Sequence, residues 1–311
     1  MTKILHLSDT TLSGSPIRIC NLINSQSVHQ ARHIVWKRRV FERVFPVDMV
    51  GEEMTNEELY YWVHEWADVL HFHNRWKRQE IIKKVGLPKR KKGVIQIHSP
   101  RFEEGHQEEV DSGLPLAIIA QYHVREWPEL RYIVPNVVDI NQVKPVFKPS
   151  RNIPLVCYAP SSPNGRGWNN KSYNTVHPIL KKLQMIEGKI LYDRVISKPF
   201  DECMAHKMVA DIGIDEVSTG SYHLSSLEYL AMGVCTIGKI DPLCEKVIKD
   251  LTGCKTLPWY QSSEETFSTD FNRLVASHEY KKHGDLARAW MEKFWTARFL
   301  CDKYINMYKD L

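Results

Sequence analysis

The sequence predicts an α/β protein built of two Rossmann-like, doubly wound parallel-sheet domains facing a cleft. Three observations carry this. Short apolar strands alternate with helical segments from the first residues onward, the pattern of a parallel sheet covered by helices. A stretch with three prolines spanning 145–154, with the cations Lys144, Lys148 and Arg151 in it or at its edge, interrupts the alternation. The alternation then restarts, and 311 residues suit two domains of about 150 each.

The elements follow in order. Lys3 to Ser8 reads as a buried first strand, and Asp9 to Ser15 as a polar loop. Pro16 fits the start of a helix whose face carries Ile17, Ile19, Cys20, Leu22 and Ile23. Residues 33–36 form a second strand, and Thr55 to Trp66 a helix with Thr55 and Glu58 at capping-box spacing. Strands follow at 68–73, 94–98, 116–120 and 132–134. Beyond the linker come a strand at 155–158, a Pro/Ser/Gly/Asn loop at 159–170 and a helix at 172–186. A strand at 189–192, a helix at 201–209 and a strand near 210–214 precede the loop of Thr219, Gly220 and Ser221. The next helix carries Ser225 and Glu228 and stops at Gly233; a strand at 235–238 and a short helix at 245–251 follow. From Gly284 to Leu311 a long helical pattern turns Leu286, Trp290, Phe294, Ile305 and Tyr308 to one side.

Composition narrows the class. A hydrophobic share of 43% and a charged share of 25% are those of a globular chain. No apolar run approaches the roughly 20 residues that span a bilayer, and the first residues lack a signal-peptide pattern. Seven cysteines are scattered without a Cys-x-x-Cys pair, which points to reduced thiols and a cytoplasmic location. The net charge of +5 permits an acidic partner without requiring one. The basic residues Lys83, Lys84, Lys89, Arg90, Lys91 and Lys92 read as a solvated face, or as a peripheral contact with an anionic surface or nucleic acid.

Ligands of open parallel sheets sit outside the carboxyl ends of the strands. That rule selects Gly14-Ser15, His73-Asn74, His98-Ser99, Ser161 to Lys171, and Thr219 to Glu228. Gly14 and Ser15 form either a close approach to phosphate or a plain tight turn. They belong to neither a dinucleotide fingerprint nor a Walker A loop. Arg166 and Lys171 flank a glycine-rich turn, where a guanidinium and an ammonium suit a diphosphate. Ser225 and Glu228 match a capping box, and the same helix N-terminus suits an anion. His71, His73 and His98 raise the question of a metal, but no carboxylate or cysteine stands at ligand spacing. His71 reads as an ordinary polar strand end, and His98 as better placed to touch a ligand. No metal and no cofactor are expected, since no Asp-x-Asp offers a divalent cation a seat.

With these residues in view, the chain resembles nucleotide-sugar glycosyltransferases of the GT-B fold, in the retaining glycosyl transferases group 1 family. The resemblance rests on Ala67 to Asn74, on Val134-Pro-Asn-Val-Val-Asp139 with Val137 for the usual glycine, on Ala159 through Lys171, and above all on Ala210 to Gly233. It is thin at 37–60 and 245–285. It implies that Glu228 holds the nucleotide ribose, and that Arg166 and Lys171 hold the diphosphate. It also implies that Leu224 and Ser225 offer backbone N–H groups to the diphosphate, that Gly14 approaches it, and that His98 lies near the transferred sugar. The final helix is implied to cross back to the N-terminal domain, giving domains of 1–145 with about 289–311, and 146–288. Two departures stand out: Gly220 occupies the position of the family's first glutamate, and His223 replaces a usual glycine.

The resemblance implies hexosyl or pentosyl transfer from a nucleoside diphosphate sugar, with retention and without metal. A cell-surface glycan or lipid-linked precursor is the first choice of acceptor. A modified base of viral DNA and a non-catalytic nucleotide-sugar-binding protein are the alternatives.

Overall fold

Parallel strands fill two sheets in the computed structural model of the protein. The structure describes residues 1–38, 45–77, 79–98, 106–121, 124, 126–127, 130–149, 151–160 and 170–311. The chain divides into two units: Met1–Asp139 with Ala297–Leu311, and Ile140–Thr296.

Among the described residues, unit 1 holds seven strands: β1 (Lys3–Ser8), β2 (Gln30–Val35), β3 (Met49–Val50), β4 (Val69–His73), β5 (Lys92–Ile97), β6 (Leu116–Ile119) and β7 (Tyr132–Val134). Their order is β3-β2-β1-β4-β5-β6-β7, all parallel. The winding direction reverses between β1 and β4, so a crevice opens at the carboxyl ends of those strands. One face buries Leu5, Leu7, Leu70, Phe72, Ile95 and Ile97 against the segment that carries Leu59 and Val63. Thr55 and Glu58 form the expected capping box there. The Ser15–Gln26 and Ala297–Lys309 helices pack together in this unit.

Among the described residues, unit 2 holds five strands: β8 (Leu155–Tyr158), β9 (Leu191–Arg194), β10 (Ile212–Ile214), β11 (Cys235–Gly238) and β12 (Tyr260–Gln261). Their order is β12-β11-β10-β8-β9, again parallel. Here the reversal falls between β8 and β10. The core gathers Val156, Tyr158, Leu180, Ile214, Ile237, Phe267 and Phe271. Both sheets are thus doubly wound, as the sequence predicts.

Several elements differ from their expected bounds. β3 and β12 are two-residue edge strands, too short to leave a periodic trace. β9 lies two residues beyond the expected 189–192; it is an edge strand with mixed burial, so its alternation is weak. The Glu80–Val85, Gln107–Val110 and Phe267–Ser277 helices lie in segments the sequence left unassigned. The long C-terminal pattern breaks in two, Tyr280–Phe294 and Ala297–Lys309. Trp295 ends the first helix with non-helical backbone, fully buried against Trp290 and edge-on to Tyr222. Leu286, expected on the packed side, is 52% exposed; Ala287, Trp290 and Met291 hold that side instead.

One contact fixes the helix that matters most for unit 2. The Tyr229 ring lies on β10 at Gly213, where a Cβ would come within 2.5 Å of the ring. Tyr229 donates to the Cys157 carbonyl at 3.2 Å, tying the same helix to β8. Gly213→Ala forces the ring and its helix off the sheet. The expected loss is about 2–3 kcal/mol in urea unfolding. Gly93→Ala provides the comparison, because Gly93 also lies on a strand, its φ is not left-handed, and a Cβ there meets nothing nearer than 3.5 Å.

Candidate functional site

The reversal point of unit 2 is built from the carboxyl ends of β8 and β10. β10 runs into Asp215 and Glu216, two consecutive carboxylates that are almost wholly buried. Glu216 turns back into its own loop. It accepts from the amides of Ser218, Thr219 and Ser221 at 2.8, 2.7 and 3.3 Å, and from the Ser218 and Thr219 hydroxyls. The loop at 219–221, which by sequence offers its amides to an external anion, therefore closes around an internal one. Gly220 sits at φ +83°, and a Cβ there would lie 2.9 Å from Asp241, so a side chain is doubly disfavoured.

Asp215 faces the other way. It accepts from the His223 amide at 2.7 Å, and its second oxygen lies 3.1 Å from His223 Nδ1 and 3.7 Å from Lys171 Nζ. Burial opposes ionisation, but the charge and hydrogen bonds of His223, followed by Lys171, hold the Asp215 carboxyl far below the ordinary range. Lys171 is itself 5% exposed; its ammonium is pulled down by burial and pushed back up by Asp215. Its backbone is also fixed, because the Tyr158 hydroxyl donates to its carbonyl.

The Leu224–Ala231 helix starts directly after His223, its N-cap, and no side chain caps it. The expected capping box of Ser225 and Glu228 is therefore absent. Ser225 lies inside the first turn, and Glu228 is 3% exposed, its carboxylate 2.5 Å from Lys207 Nζ. A buried carboxylate finds a full charge a stronger partner than a helix amide. Lys207, on the Phe200–Met208 helix, is held above its ordinary value by Glu228, against the opposing effect of burial. The amides of Leu224 and Ser225 make no backbone hydrogen bond among the described residues. Thus Lys171, His223, Leu224, Ser225, Gly220 and Glu228 gather in unit 2 around one strand end. Arg166 lies outside the described residues.

Sequence reasoning missed Asp215, Glu216 and Lys207. Asp215-Glu216 directly after an apolar strand was the available signal. Nothing local marks Lys207, which reaches Glu228 from another helix.

Unit 1 carries the other expected residues. Gly14 takes φ +77°, and Phe45 lies 2.8 Å from where its Cβ would stand. Ser15 is buried at the helix start. His98 follows β5; its amide donates to Asn74 Oδ1 at 2.7 Å, and Asn74 adopts φ +64° to present that oxygen. His71 is no polar strand end. It is fully buried, with Nδ1 2.7 Å from the Tyr308 hydroxyl. In register beside it stand His6 on β1 and His33 on β2. His73 Nε2 lies 3.0 Å from His6 Nδ1, and His73 Nδ1 lies 2.8 Å from His98 Nε2. His6, His71 and His73 are close enough to be considered as metal ligands. Of the basic residues, Lys83 pairs with Glu80, Lys84 lies over Trp36, and Lys91 donates to the Ala67 carbonyl.

The whole chain resembles solved structures of glycosyltransferases. A Rickettsia africae glycosyltransferase matches with a TM-score of 0.64 at 12% identity, over 99% of this chain and 98% of the other. Anabaena HepE, solved with UDP and glucose, matches with a TM-score of 0.66 at 13% identity over 100% of both chains. The lipopolysaccharide outer core galactosyltransferase WaaB matches with a TM-score of 0.58 at 16% identity, over 99% and 100%. No family model and no curated protein matches the sequence. At these identities the likeness is one of fold: the chain has the GT-B fold.

Two outcomes follow from the buried charges. Lys207→Met leaves Glu228 buried without its cation, and is expected to cost about 3–5 kcal/mol in denaturant unfolding. The histidine face makes stability acid-sensitive. Burial lowers His71 to about 3 and His33 to about 4, and lowers His6 and His73 as well. The unfolded imidazoles bind protons near pH 6.5, so stability is complete above that pH. It falls toward pH 4 by up to about 1.4 kcal/mol per pH unit for each histidine. Urea midpoints at pH 7.5 and 5.0 measure the loss.

Proposed function

We propose that the protein transfers a hexosyl or pentosyl group from a nucleoside diphosphate sugar to an acceptor, with retention and without a metal ion. The observation that carries the reading is the helix start at Leu224, whose N-cap His223 and the buried Lys171 both meet Asp215 at the carboxyl end of β10. The Anabaena relative by fold, solved with UDP-glucose and with UDP and glucose, supports the choice of ligand.

In this reading the amides of Leu224 and Ser225 and the ammonium of Lys171 receive the diphosphate. As the glycosidic bond breaks, the departing diphosphate gathers charge, and these fixed dipoles and the cation stabilise it in place of a metal. Arg166 is assigned to the same phosphates by sequence. Lys207 orients Glu228, whose carboxylate takes the ribose hydroxyls. By the sequence resemblance, His98 is assigned to the transferred sugar, and Gly14 and Ser15 to the phosphate. The acceptor is assigned to the cell-surface glycan or lipid-linked class, with the basic residues of unit 1 favouring an anionic surface.

A second reading, a nucleotide-sugar-binding protein without turnover, has one observation behind it. The position of the family's first glutamate is Gly220, and its backbone and Asp241 leave no room for a side chain.

A thermal-shift panel of nucleoside diphosphates and their sugars decides whether a nucleotide binds, since a ligand at 100 Kd raises stability by about 2.7 kcal/mol. Glu228→Gln keeps a partner for Lys207 and is expected to weaken nucleotide binding at least tenfold by calorimetry. Unchanged affinity removes Glu228 from the site. Sugar transfer that survives EDTA supports the metal-free reaction, and binding without any transfer or hydrolysis selects the second reading.

A further inference from the structure

The polar face of the unit 1 sheet carries two hydrogen-bonded runs that meet at Gln96 and His71, one from Pro135 through Tyr304 to Gln96 and one from His71 through Tyr308, His6 and His73 to His98. The first begins at the Pro135 carbonyl, which can only accept. The Tyr304 hydroxyl donates to it at 2.8 Å. The Tyr304 oxygen then accepts from Gln96 Nε2 at 3.5 Å, which fixes the Gln96 amide with Oε1 on the other side. Gln96 Oε1 and His71 Nε2 are both buried on adjacent paired strands with no hydrogen-bond partner among the described residues, and an amide oxygen can only accept, so a proton on His71 Nε2 avoids setting two acceptors toward each other. His71 therefore carries its proton on Nε2, and its Nδ1 accepts from the Tyr308 hydroxyl at 2.7 Å.

A neutral imidazole has one donor and one acceptor nitrogen, so each step now dictates the next. Having given its proton to His71, the Tyr308 oxygen accepts from His6 Nε2 at 3.4 Å. His6 Nδ1 must then accept from His73 Nε2 at 3.0 Å. His73 Nδ1 in turn accepts from His98 Nε2 at 2.8 Å. Every donor in the histidine row points inward, away from His98 and toward the face where Gln96 Oε1 can only accept.

We propose that this buried chain locks His98 in its Nε2–H tautomer, so that Nδ1 stands as a hydrogen-bond acceptor for a ligand hydroxyl. His73, His6, Tyr308, His71 and Gln96 are positioning residues that act through one another. Neutrality, which the argument needs, accords with the burial that lowers the pKa of His6, His71 and His73. The choice of a sugar hydroxyl as ligand rests on the function proposed above; the tautomer does not. A metal ion on His6, His71 and His73 is the competing account. It leaves Gln96 Oε1 unexplained, and 3.0 Å between His6 Nδ1 and His73 Nε2 is shorter than the roughly 3.3 Å between nitrogens set tetrahedrally about zinc.

Two-bond proton–nitrogen NMR on ligand-free protein with ¹⁵N-labelled histidine, at pH 8, tests the proposal. The His98 signals are assigned by their loss in His98→Gln. The expected spectrum has His98, His73, His6 and His71 all protonated at Nε2. In Tyr308→Phe the anchor is cut, and the His98 signal is expected to shift to a mixture of both tautomers. His98 protonated at Nδ1 in the wild type overturns the proposal, a result that does not depend on Tyr308→Phe folding. So does a His98 signal unchanged in a folded Tyr308→Phe, or stoichiometric zinc in protein purified without added metal. Nucleotide binding is measured separately by thermal shift. Failure there removes the sugar as ligand and leaves the tautomer standing.

Discussion

A polar group taken out of water must find a partner inside, and both candidate sites are organised by that requirement. At the carboxyl end of β10 two adjacent carboxylates are buried, and each recruits a different set of partners. Glu216 takes the amides and hydroxyls of its own loop, and Asp215 takes His223 and Lys171. Glu228, a turn into the following helix, takes Lys207. The loop, the lysines and the helix start are held in mutual position because breaking any pairing would strand a charge in a low dielectric.

The sheet topology explains why these demands concentrate where they do. In a doubly wound sheet the helices leave opposite faces on the two sides of the reversal point, and the strand ends there are left uncovered. In unit 2 the uncovered pair is β8 and β10, which deliver Lys171 and Asp215. In unit 1 it is β1 and β4, which deliver the loop of Gly14 and the end of β4 at His73. The Gly213–Tyr229 contact extends the same logic to packing, since a missing side chain on β10 lets the helix of Glu228 lie flat on the strand.

Unit 1 solves the burial problem without charge. Its in-register histidines are neutral, and neutrality gives each ring one donor and one acceptor. Such a row satisfies itself only if all members agree on a direction. That agreement needs an end that cannot flip, and the Gln96 amide, oriented by Tyr304 and the Pro135 carbonyl, stands at that end. The arrangement is sensitive to acid for the same reason, because a second proton on any imidazole leaves two donors facing one another.

By itself the sequence determined the class of fold, since alternation of strand and helix is a local periodicity written in each segment. It also marked most strand ends where the candidate residues stand, because Gly14, His98, Lys171 and the Ala210–Gly233 stretch follow recognisable apolar runs. The tertiary structure decided the partnerships. Ser225 and Glu228 have capping-box spacing, yet Glu228 answers to Lys207, which lies 21 positions away on another helix. His71 looked like a polar strand end, yet Tyr308, 237 positions along the chain, makes it part of a buried row. Spacing specifies which side chains share a face of one element. Which charge or hydroxyl meets them is set by packing between elements, where the cost of burying an unpaired group outweighs any local preference.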